Sequence, residues 1–360
     1  MRNLAGRLGN KQDANRLYNL DYLRGLASFG IMIYHYFSWS LGDFSDNMFL
    51  GRIGIYGVSI FYVLSGLTLY YVYSDKMKPS QQDILSFFKK RIFRIFPLLW
   101  LVTLTSIFLS RSIPDFYNLF LNLTGLFGFV KWDTYFSVGV WSIGNELVFY
   151  VFFPLFILFA RTHKSLLILL SAILFSLYLY FAFVKLNPDV DLDEQWRNYI
   201  NPLNQVFLFL GGFLIGYLFK KTKTNNATTI VLLMFGLGLF VFIPSNTNTI
   251  SLVTGVNRLL FTFCCLLICF SFYKLTLKFP FFIHKPLTLL GEASYSVYLL
   301  HPLVYNVIAF VNKHIFHYPE YIRLIFSIIL TLVISYFVYE YFEKFFMRLG
   351  RKTKKPRIAA

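Results

Sequence analysis

The sequence predicts an all-α protein, a polytopic bundle of about ten transmembrane helices with both termini in the cytoplasm. Hydrophobic residues make up 57% of the 360 residues and charged residues only 14%, whereas soluble domains contain about 25% charged residues. The apolar residues recur in runs of about 20, the length that crosses a bilayer as a helix. Lys and Arg are also distributed very unevenly between the alternate connections that these runs define.

Ten apolar runs are predicted as helices. The polar, basic segment before the first run lacks the apolar core and cleavage site of a signal peptide, so we interpret this run as a retained helix. Phe116–Val130 is too short to span and is open to a re-entrant or interfacial placement, which would change the count. The predicted helices are Tyr22–Leu41, Ile53–Tyr73, Ile95–Ser110, Trp141–Ala160, Ser165–Val184, Leu203–Phe219, Thr228–Ile243, Val256–Tyr273, Pro286–Val311 and Tyr321–Tyr341.

Positive charge falls mostly on one predicted side of the membrane. That side carries 26 of the 34 Lys and Arg residues, and the opposite side carries eight. Because cytoplasmic loops are enriched in these residues, both termini are predicted to be cytoplasmic. The net charge of +17 then reflects topology and contact with anionic lipid headgroups rather than nucleic acid binding. We predict a cytoplasmic segment at 1–21, a transmembrane domain at 22–342 and a basic cytoplasmic tail at 343–360.

The three cysteines are interpreted as packing residues. Cys264, Cys265 and Cys269 lie within one apolar run and show no metal-ligand spacing. We therefore expect neither a disulfide framework nor a metal site.

The first helix carries Arg24 and His35, eleven positions apart. Because a helix turns about 100° per residue, the two side chains point within roughly 20° of the same direction, about 16 Å apart along the axis. Ionisable residues inside a bilayer are costly and often functional. The alternative is that Arg24 is an anchor at the membrane surface and His35 a hydrogen-bonded structural residue.

Two further features precede or occupy early helices. Arg91 and Arg94 lie one turn apart ahead of the predicted third helix and share a face. Two such cations beside a helix start could hold phosphates, although a topological anchor is the alternative.

The second helix contains the small-residue run Gly57–Gly66, which includes Ser65 and is typical of close helix packing.

The fourth predicted helix opens with a polar stripe. Ser142, Glu146 and Tyr150 are spaced four apart. Glu146 lies roughly 8 Å below the outer end of this helix, and His35 lies about 20 Å above the cytoplasmic end of its own. In a hydrocarbon core about 30 Å thick these depths agree. Since a buried carboxylate needs a partner, we predict that Glu146 and His35 meet near the outer third of the membrane.

The ninth predicted helix contains a similar cluster. Ser294, Tyr298 and His301 share a face through their i, i+4, i+7 spacing. His301 also lies about 20 Å from the cytoplasmic end. Packing and function are equally open interpretations of these residues.

Taken in order, these motifs resemble the membrane-bound acyltransferase 3 family. The shared features are the Arg-(ten residues)-His of the first helix, an apolar run in the second helix that ends in Ser-Gly, the Arg-x-x-Arg before the third, Trp-Ser-…-Glu-…-Phe-Tyr, and Ser-Tyr-…-Tyr-Leu-…-His. They match in order and approximate spacing across Leu20–Pro302, and Phe342–Phe345 is similar to the family's terminal Glu-Lys segment. Ser59 departs from the family, which often has an acidic residue there, as does Phe345, where proline is frequent.

The resemblance implies an O-acyltransferase of the bacterial plasma (inner) membrane. Acyl-coenzyme A, usually acetyl-coenzyme A, would donate from the cytoplasm to a hydroxyl of a cell-surface or polyprenyl-linked carbohydrate such as O-antigen or exopolysaccharide. His35 would act as general base or transient acyl carrier, and Glu146 would orient the imidazole or stabilise its charged form. Arg24, Arg91 and Arg94 would hold the phosphates of coenzyme A. The substrate channel would be lined by Ser65, Trp141, Tyr150, Ser294, Tyr295 and His301.

Two other classes of function fit a bundle with polar residues at mid-depth. A transporter or export subunit for a lipid-linked glycan is one, although the sequence has no convincing inverted repeat or paired broken helices, the usual signs of alternating access. Dependence on acyl-coenzyme A would separate an enzyme from this class. A structural subunit of a polysaccharide machine is the other, and it would tolerate substitution of His35.

Overall fold

The computed structural model describes residues 16–42, 48–78, 80–245 and 248–351, and helix is the regular secondary structure found in those ranges. Shorter helices at Phe116–Thr124, Phe127–Val130, Trp196–Tyr199 and Ile250–Val253 lie in the connections. The principal helices are α1 (Tyr18–Leu41), α2 (Phe49–Tyr73), α3 (Gln81–Ser110), α4 (Val140–Thr162), α5 (Lys164–Tyr180), α6 (Pro202–Phe219), α7 (Asn226–Phe242), α8 (Gly255–Lys274), α9 (Phe281–Glu292), α10 (Ser294–Val311), α11 (Glu320–Phe337) and α12 (Lys344–Arg351).

Within the described ranges, eight helical runs are long and apolar enough to cross a membrane: Phe49–Tyr73, Gln81–Ser110, Val140–Thr162, Lys164–Lys185, Trp196–Phe219, Gly255–Lys274, Ser294–Phe316 and Glu320–Arg351. The 24-residue α1 is long enough but not apolar enough for this set, and the 17-residue α7 is too short for it. The all-α fold is thus confirmed, while the count of about ten and the cytoplasmic termini stay predictions. Parts of the predicted terminal segments, 1–15 and 352–360, lie outside the described residues.

The third helix begins earlier than predicted. α3 starts at Gln81, where the Ser80 hydroxyl oxygen accepts a hydrogen bond from the backbone N–H of Asp83 at 3.2 Å. Such an N-cap satisfies a backbone donor that has no partner within the helix. Arg91 and Arg94 therefore extend from the body of a helix, and the prediction that they lie beside a helix start is wrong.

The predicted ninth helix is divided into α9 and α10. The break lies at Ala293, which leaves helical geometry with a ψ of 4°. Just before it, Gly291 packs directly on α1, because a Cβ there would collide with the carbonyl oxygen of Asp21. The break lets α9 lie along the start of α1 while α10 follows its own direction past the end of α1. Periodicity alone could not reveal it, since the sequence from Gly291 to Ser296 contains no proline.

The closest helix packing joins α2 and α6 through two glycines. A Cβ at Gly66 would collide with the carbonyl oxygen of Phe209, and a Cβ at Gly212 would collide with that of Val63. Small residues permit such close backbone approach between membrane helices. The contact of Gly66 with α6 therefore agrees with the packing role predicted for the Gly57–Gly66 run.

The contact of α2 with α6 gives a stability prediction. Gly212→Val should lower the thermal unfolding midpoint in detergent by several degrees or prevent accumulation of folded protein, because overpacking typically costs about 1–3 kcal/mol or more. Gly238→Val in α7 is the matched control, since a Cβ at Gly238 would meet no atom within 4 Å. Equal unfolding midpoints for the two variants would contradict the proposed packing.

Candidate functional site

A wide cavity of about 890 Å³ opens among the beginning of α1, the end of α2, the middle of α3 and α12. We call it the vestibule. Its lining includes the carboxylates Asp21 and Glu292 and nine basic residues, Arg16, Arg24, Lys76, Lys90, Arg91, Arg94, Lys344, Arg348 and Arg351. This excess of positive charge suits an anionic ligand that carries several phosphates.

The two carboxylates of the vestibule are engaged in ion pairs. Arg16 Nε lies 2.7 Å from Asp21 Oδ2, and Arg16 Nη1 lies 2.6 Å from Glu292 Oε1. Burial alone would lower the pKa of Arg16, but the two carboxylates outweigh burial and raise this pKa. Arg24 lies 3.4 Å from Asp21 and donates to Thr68 Oγ1 at 3.4 Å. Arg16 thus links the start of α1 to the end of α9 at the edge of the vestibule.

A narrow inner cavity of about 90 Å³ continues inward from the vestibule. Both cavities are lined by Arg24, Arg91 and Arg94, which therefore stand at their junction. The predicted site residues that line the inner cavity are Arg24, Ser65, Arg91, Arg94, Glu146, Tyr150, Ser294 and Tyr295. Helices α1, α2, α3, α4 and α10 bring together residues that are widely separated in the sequence.

Glu146 is the carboxylate of the inner cavity. The Ser65 hydroxyl donates to Glu146 Oε1 at 2.8 Å, and the Tyr150 hydroxyl donates to the same oxygen. The guanidinium carbon of Arg91 lies 5.6 Å from the centre of the Tyr150 ring, within cation–π range. Glu146 thus supplies a negative charge beside the arginine cluster, a role that sequence reasoning did not assign to it.

His35 is paired with His301. His35 Nδ1 lies 2.8 Å from His301 Nε2, and the two ring planes differ by only 11°. His301 has no exposed surface, whereas His35 is half-buried and lies parallel to the ring of Trp39 at 5.0 Å. The pair stands where α1 packs on α10.

The predicted meeting of His35 with Glu146 does not occur among the described contacts. Glu146 bonds to Ser65 and Tyr150, and His35 bonds to His301. The prediction compared depths along separate helices, and equal depth does not place two side chains on facing surfaces. Only the helix packing of the folded bundle decides which side chains meet.

Tyr298 connects the inner cavity to the histidine pair. It lines the cavity, accepts a hydrogen bond from the Ser142 hydroxyl at 2.9 Å, and its ring centre lies 6.1 Å from that of His301. Sequence reasoning noticed its shared face with Ser294 and His301 but gave it no role. Neither His35 nor His301 belongs to the described lining, and the Tyr298 ring links that lining to the pair.

Trp141 lies away from the inner cavity, among aromatic residues. It is buried, and its ring packs edge-on against Trp196 at 5.6 Å and near Tyr199 at 6.1 Å. Trp141 is not among the residues that line the inner cavity, and its place in a substrate channel stays a prediction. The indole instead packs α4 against the segment that precedes α6.

The fold and the site define a multi-pass membrane protein whose basic vestibule leads to a polar interior beside a histidine pair. A family model described as an acyltransferase domain matches residues 17–340. The chain therefore belongs to the acyltransferase 3 family, and the resemblance inferred from the sequence motifs is confirmed.

Known relatives carry acetyltransferase names. The chain is 25% identical to the O-acetyltransferase OatA of Staphylococcus aureus (strain NCTC 8325 / PS 47) over 373 residues, covering 93% of this chain and 58% of OatA. It is 26% identical to a putative acetyltransferase of Acidianus two-tailed virus over 295 residues, covering 81% of this chain and 84% of that protein. The chain thus spans less than two thirds of OatA. No solved structure matches it.

Proposed function

We propose that the protein is an integral membrane O-acyltransferase that moves an acetyl group from acetyl-coenzyme A to a hydroxyl of a cell-surface or lipid-linked carbohydrate. The observation that carries the proposal is the junction of the two cavities at Arg24, Arg91 and Arg94, together with Tyr298, which lines the inner cavity and packs near His301 of the histidine pair. The family membership and the acetyltransferase names of the relatives support the same reaction class.

The vestibule fits coenzyme A by charge and by shape. Coenzyme A combines a multiply phosphorylated nucleotide head with a long, narrow pantetheine arm that ends in the thioester. The wide, basic vestibule suits the head, and Arg24, Arg91 and Arg94 can donate several hydrogen bonds each to phosphate oxygens. The narrow inner cavity suits the arm.

The reaction would take place at His35. A neutral imidazole accepts a proton readily near neutral pH, which is what activation of an acceptor hydroxyl requires. Arg24 and His35 stand on one helix, about 16 Å apart along its axis, so α1 alone spans from the phosphates to the reacting atoms. Glu146 would balance the arginine charges and fix Ser65 and Tyr150 in the cavity wall. The acceptor would approach from the end of α1 beyond His35, opposite the vestibule.

Acyl transfer can be tested without knowing the acceptor sugar. Inverted membrane vesicles from bacteria that produce the protein would receive acetyl-coenzyme A labelled in the acetyl group. We expect alkali-labile label in the carbohydrate fraction above that of vesicles from cells with the empty vector. Glycan export that continues unchanged without acetyl-coenzyme A, together with no label above the vector control, would instead indicate a transporter.

A further inference from the structure

We propose that His301 is a positioning residue that holds His35 in the tautomer with its proton on Nδ1, which leaves the Nε2 lone pair of His35 as the reactive atom. The inference rests on the proposed acyl transfer and deepens it. In this proposal the residue that orients the His35 imidazole is His301 rather than Glu146, for which that role was predicted from the sequence.

The proton positions follow from a chain of two hydrogen bonds. His301 Nδ1 lies 3.2 Å from the backbone carbonyl oxygen of Val297. A carbonyl oxygen only accepts, so His301 Nδ1 carries a proton. In a neutral imidazole the other nitrogen is then an acceptor, and His301 Nε2 can meet His35 Nδ1 at 2.8 Å only if His35 donates. His35 Nδ1 is therefore protonated and its Nε2 is not.

The neutral form of His301 follows from its surroundings. Its side chain has no exposed surface, and its described hydrogen-bond partners are His35 and a backbone carbonyl rather than a carboxylate. Burying a charge without an opposite charge costs several kcal/mol or more, so the uncharged ring is favoured. The backbone of residue 301 is fixed as well, because its carbonyl accepts from the Tyr36 hydroxyl at 2.8 Å. That hydroxyl also lies 2.5 Å from Thr331 Oγ1.

The lone pair on His35 Nε2 can react in either of two routes of acyl transfer, one direct and one in two steps. In direct transfer, Nε2 takes the acceptor proton while the acceptor oxygen bonds to the thioester carbonyl carbon. The carbon–sulfur bond then breaks, and the proton passes to the thiolate of coenzyme A. In the two-step route, Nε2 bonds to that carbon and the thiolate leaves. The acceptor oxygen next takes the acyl group from Nε2, and its proton goes to the thiolate.

The hydrogen bond to His301 grows stronger along either route. In both routes His35 becomes positively charged while Nδ1 keeps its proton, and the bond from Nδ1 to His301 Nε2 becomes charge-assisted. Such bonds are roughly twice as strong as neutral ones. His301 thus favours the charged intermediate state of His35 as well as the correct tautomer.

Two substitutions of His301 separate this role from simple packing. Gln presents a side-chain oxygen that can accept from His35 Nδ1, whereas Leu fills similar space without an acceptor. With acetyl-coenzyme A as donor, we expect His301→Leu to lower kcat on the order of 100-fold with little change in KM for the donor, and His301→Gln to restore most of kcat. Thermal unfolding midpoints of both variants serve as the folding control.

Nitrogen NMR gives a readout that does not depend on turnover. The native protein, labelled with ¹⁵N-histidine, contains six histidines, and comparison with His35→Ala identifies the His35 signals. We expect a protonated Nδ1 and an unprotonated Nε2 on His35. The opposite tautomer, or native kcat in a folded His301→Leu variant, would overturn the proposal while leaving acyl transfer by the native protein intact. Absence of transfer by the native protein would instead overturn the proposed function.

Discussion

His35→Ala should abolish acetyl transfer, with a loss of at least about 100-fold in kcat, the lower range for removal of a general base. Binding of acetyl-coenzyme A should stay close to native, because Arg24, Arg91 and Arg94 at the cavity junction are untouched. The half-buried His35 contacts Trp39 and His301 but lies outside the described lining of both cavities. Protein amount should therefore also stay close to native.

The matched control for this substitution is His163→Ala. His163 is exposed in the connection between α4 and α5 and lies far from the histidine pair in the topology. Transfer by the two variants would be compared at equal amounts of protein, with initial rates over a range of donor concentrations. Native kcat in His35→Ala would rule out both the base and the acyl-carrier role of this residue.

Removal of Arg91 and Arg94 should raise KM for acetyl-coenzyme A by about tenfold or more, since a hydrogen bond to a charged group contributes about 1.5–3 kcal/mol. The effect should fall on KM more than on kcat, because both side chains lie at the cavity junction rather than beside His35. Acetyl-pantetheine, which lacks the phosphates, gives an internal comparison. Its KM should be high in the native protein and almost unchanged in Arg91→Ala/Arg94→Ala.

The control for lost positive charge is Lys221→Ala/Lys223→Ala. Both lysines are exposed just after α6 and lie outside the described lining of the vestibule. This double variant changes net charge by the same amount without altering the cavity junction. An equal rise in KM for acetyl-coenzyme A and for acetyl-pantetheine in the arginine variant would contradict phosphate binding by Arg91 and Arg94.

Sequence patterns predicted most of the fold because the length of an apolar run and the spacing of polar residues within it can both be read from a short stretch of sequence. Apolar runs of about 20 residues located the helices, and the four-residue spacing of Ser142, Glu146 and Tyr150 gave a stripe that does line one cavity. The break at Ala293 escaped prediction because it depends on the contact of Gly291 with α1, which is a long-range feature. The early start of α3 escaped because its first turns are polar.

The sequence predicted which residues belong to the site but not which of them contact each other. The arginines, Glu146 and both histidines were all selected from the sequence, yet the pairing of His35 with His301 was not. The i, i+4, i+7 spacing placed His301 on a face with Tyr298, and the depth estimates gave both histidines about 20 Å from the same side. Equal depth in the membrane was thus a usable signal for the contact between His35 and His301, whereas for Glu146 it led to a contact with His35 that the structure does not show.

The central claim is that the acyl end of the donor passes from the vestibule through the inner cavity to the histidine pair. Photo-crosslinking tests it most directly. An acyl-coenzyme A with a diazirine on a short acyl chain would be irradiated with the purified protein in liposomes, and labelled peptides would be mapped by mass spectrometry. We expect label near His35 in α1 and near Tyr298–His301 in α10, displaced by excess acetyl-coenzyme A. Label confined to lipid-facing helices, or label that acetyl-coenzyme A does not displace, would contradict the claim.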